Sequence, residues 1–372
     1  MKRFLKNLFL FSLPIIAFFC AILPFYFWAE GTGEFEPVIK NIERQRQEPK
    51  ALFGMGYNEQ TQYYKLVNAN YYKPKIIALG TSRVMQFEEQ FFNESFYNCG
   101  GGANENYDEY LNFMKNLTFK PEIMILGLDS WVFNDAWNKN LRIHDYFYEL
   151  KEVQSSPLRF LVKIIQDWFL GKWRVADLSL YPRNIGFNGR VKDRGFQIDG
   201  SHYYGDVYRY PELKQDYQFK NTLHRIATGT MRFEWGKDID EDTLRLLDSL
   251  LSYCKDKGIT VVGFIPPFAP SIYTVMVNSG NYDYLSKIAP ACQEIFRKYE
   301  FEFFDYQDGA TLGKTDDYYV DGFHGSEVIY GLIVQDMVKK GSVLKGCVDM
   351  KRLEELLREP YSGLVFVNPD KR

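Results

Sequence analysis

Pro74-Lys-Ile-Ile-Ala-Leu-Gly-Thr-Ser-Arg83 is the stretch from which the rest of the chain is read. Lys75–Gly80 reads as the first strand, and its continuous apolar core is the pattern of a strand buried on both faces of a parallel sheet. Gly80 ends the run, and Thr81-Ser82 follows where such a strand turns toward a helix. A side chain at that place faces the crevice beyond the strand ends, where open α/β sheets bind ligands. Backbone N–H groups at a helix start can stabilise an oxyanion there. Taken alone, the same residues also serve as a Ser/Thr helix cap.

Working outward, the same rhythm repeats. A short strand is expected at Phe96–Cys99, then a helix over about 105–117 with Tyr107, Tyr110, Leu111, Met114 and Leu117 at helical spacing. Pro121 precedes a third strand, Ile123–Leu128. The rhythm resumes with a helix over about 241–257, with Leu244, Leu246, Leu247, Leu250 and Leu251 as its apolar face and Gly258 as its C-cap. Thr260–Ile265 is the fourth strand, ended by Pro266-Pro267. A helix over 284–299, a short strand near 301–304 and a helix over 326–340 follow. Strands alternating with helices predict an α/β fold, a parallel sheet with helices on both faces. Residues 346–372 read as a final short helix and a polar tail.

Between the third and fourth strands, residues 135–235 break the pattern. They are rich in Tyr, Phe, Trp and Arg, with turns around 184–206 and an apolar helix near 158–170. This stretch reads as an insertion, a lid or substrate platform. Trp131, Trp137, Tyr203, Tyr204, Tyr208 and Tyr210 suit sugar stacking, although aromatic stripes equally build core.

The N-terminus sets the compartment. Lys2, Arg3 and Lys6 precede an apolar run from Leu8 to Trp28, about the 20 residues that cross a bilayer. Phe25 to Trp28 close it like an interfacial aromatic belt, and Glu30 follows. Positive charge before the span predicts a membrane anchor over residues 1–30 with the remainder outside the cytoplasm. A cleavable signal peptide is the alternative, but no small-x-small cleavage site is evident. Residues 31–73 read as a charged, helix-prone tether leading to the main domain, 74–345.

Composition excludes some functions. The 372-residue chain has a net charge of only −3 and no block of like charges, so nucleic acid is not an expected partner. Cys99, Cys254, Cys292 and Cys347 are far apart without a CxxC pair, which disfavours a metal site. They allow disulfides in an oxidising compartment, in pairings that sequence does not choose, or free buried thiols.

Only four histidines occur, His144, His202, His224 and His324. His324 closes Asp321-Gly-Phe-His324, a Gly-flanked loop before the 326–340 helix. A serine nucleophile needs a base, and that base needs a carboxylate to hold its tautomer. Asp321, three residues before His324, can turn into the same crevice.

A serine after the first strand and Asp-x-x-His before the last helix resemble the SGNH (GDSL-like) hydrolase superfamily over residues 74–134 and 258–340. The resemblance implies a flavodoxin-like three-layer fold, with Ser82 as nucleophile, His324 as general base and Asp321 as its orienting partner. It places the oxyanion hole at Ser82, at the glycine loop Asn98-Cys-Gly-Gly-Gly-Ala-Asn104 through Gly101, Gly102 and Asn104, and at the block Gly127-Leu-Asp129-Ser-Trp131. Asp129 stands where the family commonly has Asn, and an ionised carboxylate cannot donate. Arg83 follows the nucleophile where a basic residue is unusual. It reads either as a substrate anchor for carboxylate or phosphate or as a structural ion pair. Trp131 is a further substrate-binding candidate.

One span, an extracytoplasmic SGNH-like domain and a large insertion are similar to the acyl-transfer proteins of bacterial alginate O-acetylation and teichoic-acid D-alanylation. That similarity implies a serine O-acyltransferase acting on an envelope polysaccharide, fed by a multi-span membrane acyltransferase and needing no cofactor. An esterase with the same triad, or a non-catalytic glycan-binding scaffold, is the alternative.

Overall fold

A computed structural model describes residues 1–102, 105–141, 150–153, 156–174, 177, 180–210, 212 and 216–371. The chain forms two compact units. One contains Met1–Gln60 and Glu152–Ile198, the other Thr61–Lys151 and Asp199–Arg372.

The larger unit is built on five strands: β1 (Ile76–Leu79), β2 (Phe96–Asn98), β3 (Ile123–Gly127), β4 (Thr260–Ile265) and β5 (Glu302–Asp305). All are parallel, in the order β2-β1-β3-β4-β5, the order of flavodoxin-like doubly wound sheets. β1 is buried at every position, as its apolar run requires. Side chains alternate between faces along β4. A Cβ on Gly263 would overlap the Phe296 ring, so the Leu285–Lys298 helix lies close against that face. Phe264, on the other face, meets Phe87 edge-on at 5.4 Å and Tyr330 of the Glu327–Lys339 helix at 6.4 Å. Helices therefore cover both faces, and the sheet is the middle of three layers.

Strand order reverses at β1 and β3, so Ser82 and Asp129 leave the sheet side by side. Val84 sits over this junction. A Cβ on Gly80 or on Gly127 would strike its side chain, so close approach requires glycine at both strand ends.

The smaller unit begins with the Lys2–Thr32 helix, long and apolar enough to span a membrane, with a mean hydropathy of 2.5 in its most apolar window. Pro14 and Pro24 lie within it, and Gly33 caps it in the left-handed region at φ 94°. The tether expected over 31–73 is not observed. Val38 and Ile42 of the Val38–Gln47 helix are fully buried. The buried Glu34 carboxylate accepts N–H bonds from Gly56, Tyr57, Asn58 and Phe187 at 2.6–3.1 Å. Charged residues on the outer face of that helix disguised its apolar face in the sequence. The Thr61–Tyr72 helix belongs to the larger unit, where Tyr64, Lys65 and Ala69 are buried.

The single insertion expected over 135–235 is also corrected. Residues 152–198 belong to the smaller unit and Asp199 onward to the larger. Asp199 is tied to the sheet, accepting from Asn98 N at 2.7 Å through its carbonyl and from Glu89 N at 2.8 Å through its carboxylate. The cysteines are free thiols, with Cys99, Cys254 and Cys292 buried.

Candidate active site

The loop carrying Asp321 and His324 is shaped by its own backbone. Val320 N–H donates to His324 O at 2.8 Å, which folds residues 320–324 into a tight turn. Asp321 Oδ1 accepts from Phe323 N at 2.9 Å and His324 N at 2.8 Å. Ser326 then caps the following helix through Ile329 N. Asp321 Oδ2 is left for the imidazole, 2.7 Å from His324 Nδ1.

On the opposite side of the crevice, Thr81 caps a single 3-10 turn, Ser82–Val84. Ser82 Oγ lies 2.8 Å from His324 Nε2, although 242 residues separate the two. With the Nδ1 proton donated to Asp321, Nε2 is free to accept the Ser82 hydroxyl proton. The His324 and Asp321 side chains are 16% and 22% exposed, sheltered yet reachable. Burial opposes charge on Asp321, but His324 and the two backbone N–H groups outweigh it and hold the carboxyl below the usual carboxylate value. The three residues thus form one hydrogen-bonded chain with the polarity that activates a serine.

The remaining site candidates are arranged differently from expectation. Gly101 N–H donates to Gly80 O at 2.9 Å and Gly102 N–H to Cys99 O at 2.8 Å. Both amides are consumed in the strand-end turn and do not face an oxyanion. Asn104 lies outside the described residues. Asp129 is buried and accepts from Thr81 Oγ1 at 2.5 Å and Arg83 Nη1 at 3.4 Å. Burial raises its carboxyl against the pull of Arg83 and Thr81. Among the described residues, no hydrogen bond uses the Ser82 backbone N–H. Of the expected oxyanion donors among the described residues, it is the one without an intramolecular partner.

Arg83 is not a substrate anchor in this arrangement. Its side chain is fully buried, with Nη2 donating to Pro266 O at 2.8 Å. The guanidinium lies 4.6 Å from the Phe268 ring centroid and 5.3 Å from that of Trp131. Arg83 and Asp129 form a buried ion pair at 3.4 Å. Trp131 is buried between Arg83 and Phe323, the latter 5.9 Å away edge-on. Of the sugar-stacking candidates, Tyr203 and Tyr208 are buried and pack edge-on at 5.2 Å. Trp137 and Tyr204 are half-buried, and only Tyr210 is exposed. Those aromatics mostly build core.

Several residues escaped the sequence reading. Asn98, fully buried, donates its side-chain amide to Val84 O and Phe87 O and accepts from Gly100 N, at 2.8–2.9 Å. It locks the turn after Ser82 to the glycine loop. Its position just after a strand was a signal, but its partners were not deducible. Lys65 Nζ is buried and donates to Asn98 O and Gly200 O, and burial lowers its pKa to about 7. Arg232 bonds Glu105 at 2.5 Å and lies 5.7 Å from the Trp131 centroid with its side chain 40% exposed. Nothing in the sequence singled out this pair. No family model matches the chain, and no curated protein matches it by sequence.

Two outcomes follow from this geometry. Removing one partner of a buried ion pair strands the other, at about 3–5 kcal/mol. Arg83→Met should therefore lower unfolding free energy by about that amount in a denaturant titration, and Arg83→Met with Asp129→Leu should recover part of the loss. Equal loss in the double variant would contradict this. For Asp321, a depressed folded pKa gives stability that is present above the unfolded pKa and lost as pH falls through the folded one. The melting-temperature gap between wild type and Asp321→Asn should be widest near neutral pH and shrink in strong acid. A gap independent of pH would show that the carboxylate is not stabilised as described.

Proposed function

We propose that this protein is a membrane-anchored serine acyltransferase that moves an acyl group onto a hydroxyl of an extracytoplasmic, cell-envelope polysaccharide. The observation that carries the reading is the Ser82–His324–Asp321 chain, with spacings of 2.8 and 2.7 Å between side chains from opposite ends of the larger unit. Its placement beyond the C-terminal strand ends, at the point where strand order reverses, is where such sheets do chemistry. The SGNH-type arrangement of nucleophile and Asp-x-x-His supports acyl transfer over other serine chemistry. Lys2, Arg3 and Lys6 before the apolar helix support an anchor with its N-terminus in the cytoplasm. A multi-span membrane partner would supply the acyl donor.

Ser82 Oγ attacks the donor carbonyl, and its proton passes to His324 Nε2. The imidazolium is stabilised by Asp321, and the developing oxyanion meets the Ser82 N–H. The bond from the acyl carbon to the donor's leaving atom breaks, and that atom takes the proton from His324. An acceptor sugar hydroxyl then gives its proton to His324 and attacks the acyl carbon. The ester bond to Ser82 breaks, and Oγ regains its proton. Water in place of the sugar makes the same centre an esterase.

The test is turnover of p-nitrophenyl acetate by the full chain, with and without envelope glycans. Steady p-nitrophenol release should fall at least about 1000-fold in Ser82→Ala and in His324→Ala. Added acceptor glycan should become acetylated. Release unaffected by either substitution would overturn the proposal, and hydrolysis with no glycan product would leave the esterase.

A further inference from the structure

The Pro157–Phe169 helix of the smaller unit has more apolar surface than its unit covers. Leu161 and Ile164 are buried, and Trp168 packs beside them. The neighbouring stripe is Leu158, Val162, Ile165 and Phe169, spaced i, i+4, i+7 and i+11, which is one line along a helix. Leu158, Val162 and Phe169 of that stripe, with the adjoining Leu170, are 60–76% exposed. Arg159, Lys163 and Gln166 occupy the remaining face and are exposed. A contiguous exposed apolar stripe beside a basic face is the pattern of a helix lying in a membrane surface.

The position of this helix within its unit names the occupant. Phe25, in the last turns of the apolar N-terminal helix, meets Trp168 at 5.2 Å and Trp173 at 6.1 Å. Trp28 stacks on Trp173 at 5.1 Å. These aromatics sit where a spanning helix would leave the bilayer, the depth at which Trp is favoured. The helix that carries the exposed stripe is thus packed, through Trp168, against the last turns of the exposed apolar N-terminal helix. Lys163 and Lys172 both pair with Asp167, at 3.1 and 2.9 Å, and remain about half exposed, available to lipid phosphates.

We propose that the Pro157–Phe169 helix lies in the bilayer interface, with Leu158, Val162, Ile165 and Phe169 among the upper acyl chains and its lysines at the headgroups. The inference rests on the anchor in the proposed function. It makes the smaller unit a two-point membrane mount, one helix across the bilayer and one along it. Two attachments restrict tilt about the anchor, where a single span would leave the unit free to swivel.

The test uses the full chain in nanodiscs of phosphatidylcholine and phosphatidylglycerol, with Cys347→Ser throughout. An environment-sensitive fluorophore is placed on native Cys20, or in the Cys20→Ser background on Val162→Cys or Gln166→Cys. All three sites are exposed or half-exposed in the protein, so labelling leaves the core intact. Emission at positions 20 and 162 should be lost to nitroxide-bearing lipids, while position 166 should respond only to a water-soluble quencher. Lipid quenching at position 20 with position 162 in water would overturn the interfacial helix and keep the anchor. Water-phase quenching at all three would overturn both. Protection of position 162 from both quenchers would mark a protein partner on the stripe and overturn the proposal equally.

Discussion

The strand-end half of the candidate active site depends on one buried ion pair, Arg83 with Asp129. Arg83 leaves the end of β1, Asp129 follows β3, and the Pro266 carbonyl that Arg83 also bonds follows β4. Three adjacent strand ends are thereby pinned to one guanidinium, sandwiched between Trp131 and Phe268. A carboxylate at position 129 is needed because the charge it faces is buried and always present. It also holds the Thr81 hydroxyl, which fixes the residue immediately before Ser82. Arg83 brings a charge into the core and Asp129 balances it, a local exchange between two strand ends.

That exchange changes how the oxyanion would be held. Gly101 and Gly102 are committed to carbonyls of the strand-end turn and Asp129 to Arg83, which among the described candidates leaves the Ser82 amide without an intramolecular partner. Asn98 and Lys65 sit behind the same loops and tie them together by donating to the Val84, Phe87, Asn98 and Gly200 carbonyls. The site is thus positioned by polar contacts within the larger unit, around strands supplied by its core.

What the sequence revealed was what depends on neighbours in the chain. Lys75–Gly80 and Thr260–Ile265 announced buried strands through continuous apolar runs; the first is observed one residue shorter at each end, Ile76–Leu79, and the second at the bounds read. Asp321 and His324 announced themselves through scarcity and close spacing. Features set by distant partners stayed hidden. The burial of Arg83 depends on Asp129 and Pro266, the fate of the Gly101 amide depends on the Gly80 carbonyl, and Glu34 organises residues 31–60 by bonding Phe187 as well as Gly56. The expected tether failed for the same reason, since its charges are local while the surfaces it buries against are not. The aromatic-rich middle misled because Tyr and Trp serve core and sugar equally well, and only packing separates the two.

Peptide mapping of the full chain after brief reaction with an activated acetyl ester reads out the nucleophile itself. An acetyl group is expected on Ser82, absent from Ser82→Ala and from His324→Ala. An adduct on another residue, or none from a folded protein that still turns the ester over, would contradict it.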